Sequence, residues 1–392
     1  MRRLRRLAHR NCRMRIDLAA SDQKPVVLFV LPSVRISGGV WEAFRLASDL
    51  RKYGIDAQIV SMWHDSREVE GMDFPYREVP ISYLSDLKPR KTLALLQLPY
   101  LALSFLLYSQ RIFRGSEGRQ CSVVLTHYST CIFAPLVPKP RRFCFVQDLE
   151  WRFVRSTVLR KLLRHFLQFV YAQSAVFTTN SWVTEQMSSS GIEPIAETSI
   201  WASADFCAQP AEKKSINVLM LVRKNYFKRL DLYVEVCKKL REISNLTCAV
   251  VAPDDSTVVE LKDIVDECII RPNRQELRAI YQRSQVFLLL SDAEGFGLPP
   301  LEAMGSGCVP VCRDSGGVRC YMTHGLEENL IPLTADADEV VKRIKHVLAS
   351  PDLDRLSREA RTTFLDGLTR TVNCRVGAIE ELAGIFSKTG RE

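Results

Sequence analysis

Residues 286–305 read VFLLLSDAEGFGLPPLEAMG. The opening Val286–Leu290 is a continuous apolar run of strand length. Glu294, Gly295, Phe296, Gly297 and Leu298 make a glycine turn, and Pro299 and Pro300 open a helix, where a missing N–H costs nothing. A strand apolar on both faces, then a turn, then a helix, is the unit of a parallel sheet covered on both sides. Ligands of such sheets sit beyond the carboxyl ends of the strands, so this turn is a candidate site. Gly295 and Gly297 let the backbone approach a ligand closely. The amides of Gly297 and Leu298, at the positive end of the helix dipole, make an anion site. Glu302, read in the first turn of the helix, can accept two hydrogen bonds from vicinal hydroxyls such as a ribose offers. Glu294 can hold the hydroxyls of a sugar. A plain glycine turn with two surface acids does not account for carboxylates on both sides of the loop.

The same alternation extends in both directions. Upstream lie strand Asn217–Val222, helix Leu230–Ile243, strand Thr247–Val251 and helix Glu276–Gln282, capped by Asn273. Downstream come strand Val309–Cys312 and helices through 336–388. The polar stretch Gln209–Ser215 reads as a linker. Before it lies a second block: strand Val26–Leu31, loop Ser37-Gly38-Gly39, helix Trp41–Tyr53 ended by Gly54, and strands Ala57–Met62, Ser122–Thr126, Phe143–Gln147 and Ala175–Thr179. A basic amphipathic helix falls near 155–172, and helix Trp182–Ser190 stops at Gly191. The predicted fold is α/β, with two Rossmann-like doubly wound parallel-sheet domains facing a cleft. The expected division is a basic arm at 1–21, an N-terminal domain at 22–210, a C-terminal domain at 211–370, and a final helix at 371–392 packing back toward the first domain.

Composition is that of a globular protein, with 46% hydrophobic and 25% charged residues. The net charge of +9 is concentrated at the start, where residues 1–20 hold seven arginines against one acid. The body is therefore only mildly basic, which argues against a nucleic-acid partner. The arm reads either as a disordered start or as a contact for anionic headgroups. The twelve cysteines form no C-x-x-C pair and lie mostly in apolar runs, as expected of free thiols in a reducing cytoplasm. No apolar run follows the basic start, so no secretory signal is expected. Residues 92–108, TLALLQLPYLALSFLLY, read as a buried helix, a helix lying on a bilayer, or a short span.

Arg223 and Lys228 follow strand Asn217–Val222. A guanidinium and an ammonium at a strand end suit a pyrophosphate, although a basic loop can also be a solvated one. With Glu294, Glu302 and the two-block layout, these residues resemble the retaining GT-B glycosyltransferases of family four. The family's E-x7-E element reads here as Glu294 to Glu302, and its R-x4-K element as Arg223 to Lys228. The segments Glu302-Ala-Met-Gly-Ser-Gly-Cys-Val-Pro-Val and Ser315-Gly-Gly-Val fit as well. The resemblance is strong over 217–320 and loose before it.

The resemblance implies a nucleoside-diphosphate-sugar donor held mainly by the second domain. Glu302 would bind the ribose, Glu294 the sugar, Gly295, Phe296, Gly297 and Leu298 the sugar and phosphate through their amides, and Arg223 and Lys228 the diphosphate. Gly38 and Gly39 match the family's glycine loop, facing the donor phosphates or the acceptor. The acceptor side would include Gln147, Asp148 and His127; a lone histidine at 127 can equally be structural. Gln147 stands where many relatives carry histidine, and an amide cannot move a proton near neutral pH. The Q-D-x-E form resembles a branch containing rhamnosyltransferases. Val222 and Arg229 replace glycines of the family pattern, and Ile200–Phe206 departs from it.

The implied reaction retains anomeric configuration, with glycan or lipid-linked glycan as acceptor and a position in the cytoplasm or at the inner face of a membrane. No metal or other cofactor is expected, since Arg223 and Lys228 supply cations. Asp336-Ala-Asp338 and Asp352-Leu-Asp354 read as helix-start acids. A GT-B epimerase or hydrolase, or a non-catalytic nucleotide-binding scaffold, remains open. A dinucleotide oxidoreductase is disfavoured because no G-x-G-x-x-G follows the first strand, and a P-loop NTPase because no G-x-x-x-x-G-K-[ST] occurs.

Overall fold

The computed structural model describes residues 24–34, 37–63, 76, 78–84, 105 and 121–388. The basic arm and all of 92–108 except Phe105 lie outside these residues. Phe105 is buried and stacks on Phe133, with ring centroids 4.6 Å apart. Among the described residues no helix is long and apolar enough to cross a membrane.

The first unit is built from β1 (Val26–Leu31), α1 (Gly38–Lys52), β2 (Asp56–Ser61), β3 (Ile81–Tyr83), β4 (Cys121–Leu125), β5 (Arg142–Val146), α2 (Thr157–Tyr171), β6 (Ala175–Thr178), α3 (Ser181–Ser188) and β7 (Ala196–Glu197). Its seven-stranded sheet runs β3-β2-β1-β4-β5-β6-β7, with parallel pairing such as Val27↔Ala57 and Val27↔Ser122. All six residues of β1 are buried. Successive strand side chains point to opposite faces. Val26, Leu28 and Val30 accordingly join one core, and Val27, Phe29 and Leu31 the other.

The second unit contains β8 (Ile216–Leu221), α4 (Leu230–Arg241), β9 (Cys248–Ala252), β10 (Glu267–Ile270), α5 (Arg274–Gln282), β11 (Ser284–Leu289), α6 (Leu298–Gly305), β12 (Val309–Arg313), β13 (Leu330–Ile331) and α7 (Ala337–Ala349). Its six parallel strands run β10-β9-β8-β11-β12-β13. In both sheets the first strand lies between a strand that follows it closely and one that follows a crossover. That switch point opens the crevice in which doubly wound folds bind ligands. Residues after β1 and β4 in one unit, and after β8 and β11 in the other, therefore converge on one gap.

The last helix, α8 (Leu353–Lys388), ties the units together. Ala360 and Phe364 belong to the second core, whereas Ile379, Leu382, Ala383 and Phe386 belong to the first. Midway, the buried Arg375 pairs with Glu42 and, at 2.9 Å, with Asp49 of α1.

The structure differs from the sequence reading in two ways that matter. Gly38 and Gly39 are not a loop: they form the first turn of α1, because the Ser37 side chain accepts the Val40 N–H at 3.3 Å and starts the helix early. Strands β3, β7, β10 and β13 were not expected. Each has two to four residues, too short for a hydrophobic period to register.

Candidate functional site

The second unit provides a charged wall. The segment after β8 turns through Tyr226–Lys228, and Arg229, in left-handed backbone with φ +53°, starts α4. Lys228 Nζ donates to Glu294 Oε1 at 2.6 Å, so the two nominated residues meet directly. Arg223 is exposed, and among the described residues its guanidinium has no hydrogen-bonded partner. Its positive charge nevertheless acts on Glu302.

Gly297 caps α6 with φ +78°, and a Cβ there would stand 2.9 Å from the Tyr321 hydroxyl, so only glycine fits. That hydroxyl donates to the Gly297 carbonyl at 2.6 Å and fixes the turn. The amides of Phe296, Gly297 and Leu298 have no protein acceptor among the described residues. They are open donors at the positive end of a helix. The ring of Phe296 turns away into the core, edge-on to Trp201 and Tyr321.

Glu302 does not lie in the first turn of α6. It is four residues past Leu298, one turn further in, because the helix begins at Leu298 and both prolines fall within its opening turn. Its carboxylate accepts from the buried Tyr281 hydroxyl at 3.1 Å. Burial pushes Glu302 up to about 7, against the opposing pulls of Tyr281, Arg274 and Arg223.

The first unit closes over this wall. A Cβ on Gly38 would lie 3.8 Å from Leu298 Cδ1, so the start of α1 faces the start of α6. Gly39 abuts Gln147, whose Oε1 would be 2.8 Å from an added Cβ. Gly295 abuts the other unit's backbone: its Cβ would meet Asp148 Oδ2 at 2.6 Å and the Gln147 carbonyl at 2.7 Å. Asp148 accepts the Leu149 N–H at 2.6 Å. Burial lifts its carboxyl to about 7, with Glu294 adding to the rise and Arg152 and Lys228 opposing it.

His127, after β4, is pinned rather than free. Its Nδ1 accepts the Ser129 N–H at 3.3 Å, and its Nε2 lies 3.6 Å from Glu150 Oε1, too long for a hydrogen bond. Burial drops the ring to about 4 and raises the Glu150 carboxyl well above its usual range, so His127 is neutral near pH 7. Its ring also lies against Tyr128, with centroids 4.2 Å apart.

Sequence reasoning missed the residues that lock the units. Arg152 donates to the carbonyls of Ser315 at 3.0 Å and Asp292 at 3.1 Å and lies over the Trp182 ring. Tyr226 donates back to the Arg152 carbonyl at 3.1 Å, and Phe153 packs on Phe227. Asn180, the cap of α3, donates to the Gly295 carbonyl at 3.1 Å. Asp292 binds the buried Arg313 and, at 3.4 Å, Arg229, joining the basic turn to the clasp. A cation two residues after the Gln147–Glu150 strand end was the available signal for Arg152. Nothing local marked Tyr281, whose partner is distant in sequence. The D-x-D acids lie away from the crevice: Asp336 caps α7, Asp338 pairs with Lys239 at 2.8 Å, and Asp352 with Arg355 at 3.2 Å. Among the described residues no group of three or more His, Cys, Asp or Glu is placed to hold a metal ion.

Two facing parallel-sheet domains, with their switch points sharing one crevice, define the GT-B architecture of glycosyltransferases. Residues 204–363, which contain Arg223, Lys228, Glu294 and Glu302, match the family model described as Glycosyl transferases group 1. The sucrose-phosphate synthase of Thermosynechococcus elongatus has the same fold, with a TM-score of 0.73 at 15% identity over 93% of this chain and 100% of that one. Anabaena HepE, solved with UDP and glucose, gives a TM-score of 0.64 at 13% identity over 92% of this chain and 100% of its own. By sequence, the chain is 32% identical over 125 residues to glycosyltransferase 41 of Sulfolobus islandicus filamentous virus, covering 32% of this chain and 33% of the relative. The match thus spans about a third of that curated relative's length.

Proposed function

We propose that the protein transfers a hexose or deoxyhexose from a nucleoside-diphosphate-sugar donor to a hydroxyl of a glycan or lipid-linked glycan, with retention of anomeric configuration and without a metal ion. The observation that carries this reading is a single constellation at the second unit's switch point. There Lys228 is bonded to Glu294 at 2.6 Å, beside the open amides that start α6, with Glu302 one turn deeper. The match of 204–363 to group 1 glycosyl transferases supports it, and so does UDP in a neighbour of the same fold.

In the proposed reaction the acceptor hydroxyl approaches on the face from which the diphosphate leaves. The bond from the anomeric carbon to the phosphate oxygen breaks, the bond to the acceptor oxygen forms, and the acceptor proton passes to a phosphate oxygen. Negative charge grows on the diphosphate, where Arg223, Lys228 and the α6 amides stabilise it. Glu302 holds the ribose hydroxyls, Glu294 those of the sugar. No side chain need act as base: Gln147 has no titratable group and His127 is held by Ser129. The cysteines buried in the two cores, such as Cys121, Cys144, Cys248 and Cys308, act as small hydrophobes, which is the usage expected in a reducing, cytoplasmic setting.

The test is incubation with UDP-, GDP- and dTDP-sugars and a lipid-diphosphate glycan acceptor, with and without chelator, following nucleotide release and the anomeric configuration by NMR. Acceptor-dependent release with a retained product in chelator is expected. Turnover without acceptor, an inverted product or loss of activity in chelator would each overturn a named part of the proposal.

A further inference from the structure

Helix α2 carries two apolar faces, and only one is covered. Leu167, Val170 and Tyr171 pack into the first unit's core. Val158, Leu159, Leu162, Phe166 and Phe169 remain exposed by 65%, 58%, 62%, 39% and 68%. At about 100° per residue these five fall within roughly 100° of the helix circumference, so they form one continuous stripe. A helix at a protein surface ordinarily turns polar residues to water. A contiguous bare stripe of this kind marks a contact surface.

The charge around the stripe states what covers it. Arg155, just before α2, and Lys161, about 60° beyond the stripe's edge, are exposed beside it, and no acid occurs between Glu150 and Glu185. A second copy of the same face would bring like charges together. An anionic lipid surface would neutralise them while its acyl region received the phenylalanines. The helix begins a few residues after Gln147–Arg152, the segment that reaches the crevice. We propose that α2 is a monotopic membrane-docking helix that seats the first unit on anionic phospholipid. This stands apart from the sugar-transfer reading, because it needs no turnover.

The test is flotation of the full chain with vesicles of phosphatidylcholine alone or mixed with phosphatidylglycerol. Binding to the mixed vesicles, weakening with salt, is expected. Leu162→Ser/Phe169→Ser should reduce it at least tenfold by removing two apolar anchors. Arg155→Gln/Lys161→Gln should reduce it about 25-fold at low salt. All four side chains are exposed, so melting temperature and circular dichroism should be unchanged. Wild-type binding in both variants would overturn the proposal, since the arginine-rich start would then carry the contact. Failure of the wild type to float would overturn it too. So would a wild-type dimer in gel filtration that Leu162→Ser/Phe169→Ser converts to monomer, since the stripe would then be covered by a second copy.

Discussion

Glu302→Gln isolates the cost of keeping a carboxylate in the crevice wall. In the folded protein the carboxyl lies at about 7 against an ordinary 4.5, because burial disfavours its charged form. The folded state thus binds the proton more tightly than the unfolded chain. Below pH 4.5 both states are protonated and the residue costs nothing. As pH rises from 4.5 to 7 the unfolded chain releases its proton first, and stability falls; above 7 the loss is complete. The full shift corresponds to about 3 kcal/mol. Glu302 keeps partial solvent access, so screening reduces this to about 1–2 kcal/mol. Glutamine preserves the shape and still accepts from Tyr281, but carries no charge. Thermal melting across pH 4 to 8.5 should therefore give coincident midpoints at the acid end. At pH 8 the variant should melt higher by about 5 °C, given roughly 2–4 °C per kcal/mol for a domain of this size.

The same variant should bind donor worse. Losing a charge-assisted pair of hydrogen bonds to the ribose raises the donor KM about 10- to 100-fold. In the wild type that KM should fall as pH rises through 7, and in the variant it should be flat. A variant less stable than wild type at pH 8, or equally shifted at every pH, would refute the desolvation argument. A donor KM unchanged by the substitution would refute the ribose assignment.

Lys228→Ala and Arg223→Ala should each lower turnover about 100-fold by removing a fixed charge from the leaving diphosphate; wild-type kinetics in both would discredit the site. Gly295→Ala places a methyl 2.7 Å from the Gln147 carbonyl, so the units must part, and kcat/KM should drop at least tenfold with a larger radius of gyration in solution scattering. Gly38→Ala, whose nearest neighbour is Leu298 at 3.8 Å, should leave that radius unchanged. Arg375→Met strands the buried Glu42 beneath α8, while Asp49 keeps Lys52 at 2.7 Å, and should destabilise the protein by about 3–5 kcal/mol, read as a lower melting temperature.

The alternation of apolar strands and helices was legible because both faces of each sheet are buried. Runs such as Val26–Leu31 and Val286–Leu290 need no period to stand out. The site was legible in outline for the same reason: the strand ends are visible, and the chemistry follows them. Contacts between the units were not. Arg152 reaches carbonyls 140 and 163 residues away, and Tyr281 meets Glu302 across 21 residues. Pairings of that range leave no local pattern. The opening turn of α1 was misread because Ser37-Gly38-Gly39 has the composition of a loop, while the Ser37 cap makes it the start of a helix.

On the proposed reading, a diphosphate entering the crevice has to find cations among carboxylates. Asp148, Glu294 and Glu302 line it, and three carboxylates there would repel a diphosphate. Two of them are lifted to about 7 by burial, which favours their neutral form. The third, Glu294, is bonded to Lys228 at 2.6 Å. The negative charge of the wall is thus held down by burial on one side and by an ammonium on the other. Arg223 stays exposed without a hydrogen-bonded partner. On the proposed reading, a donor entering this space meets Arg223 first. Lys228 is already bonded to Glu294, the carboxylate assigned to the sugar. If that ammonium contacts the departing diphosphate as proposed, its fixed positive charge lowers the barrier by stabilising the charge that grows there.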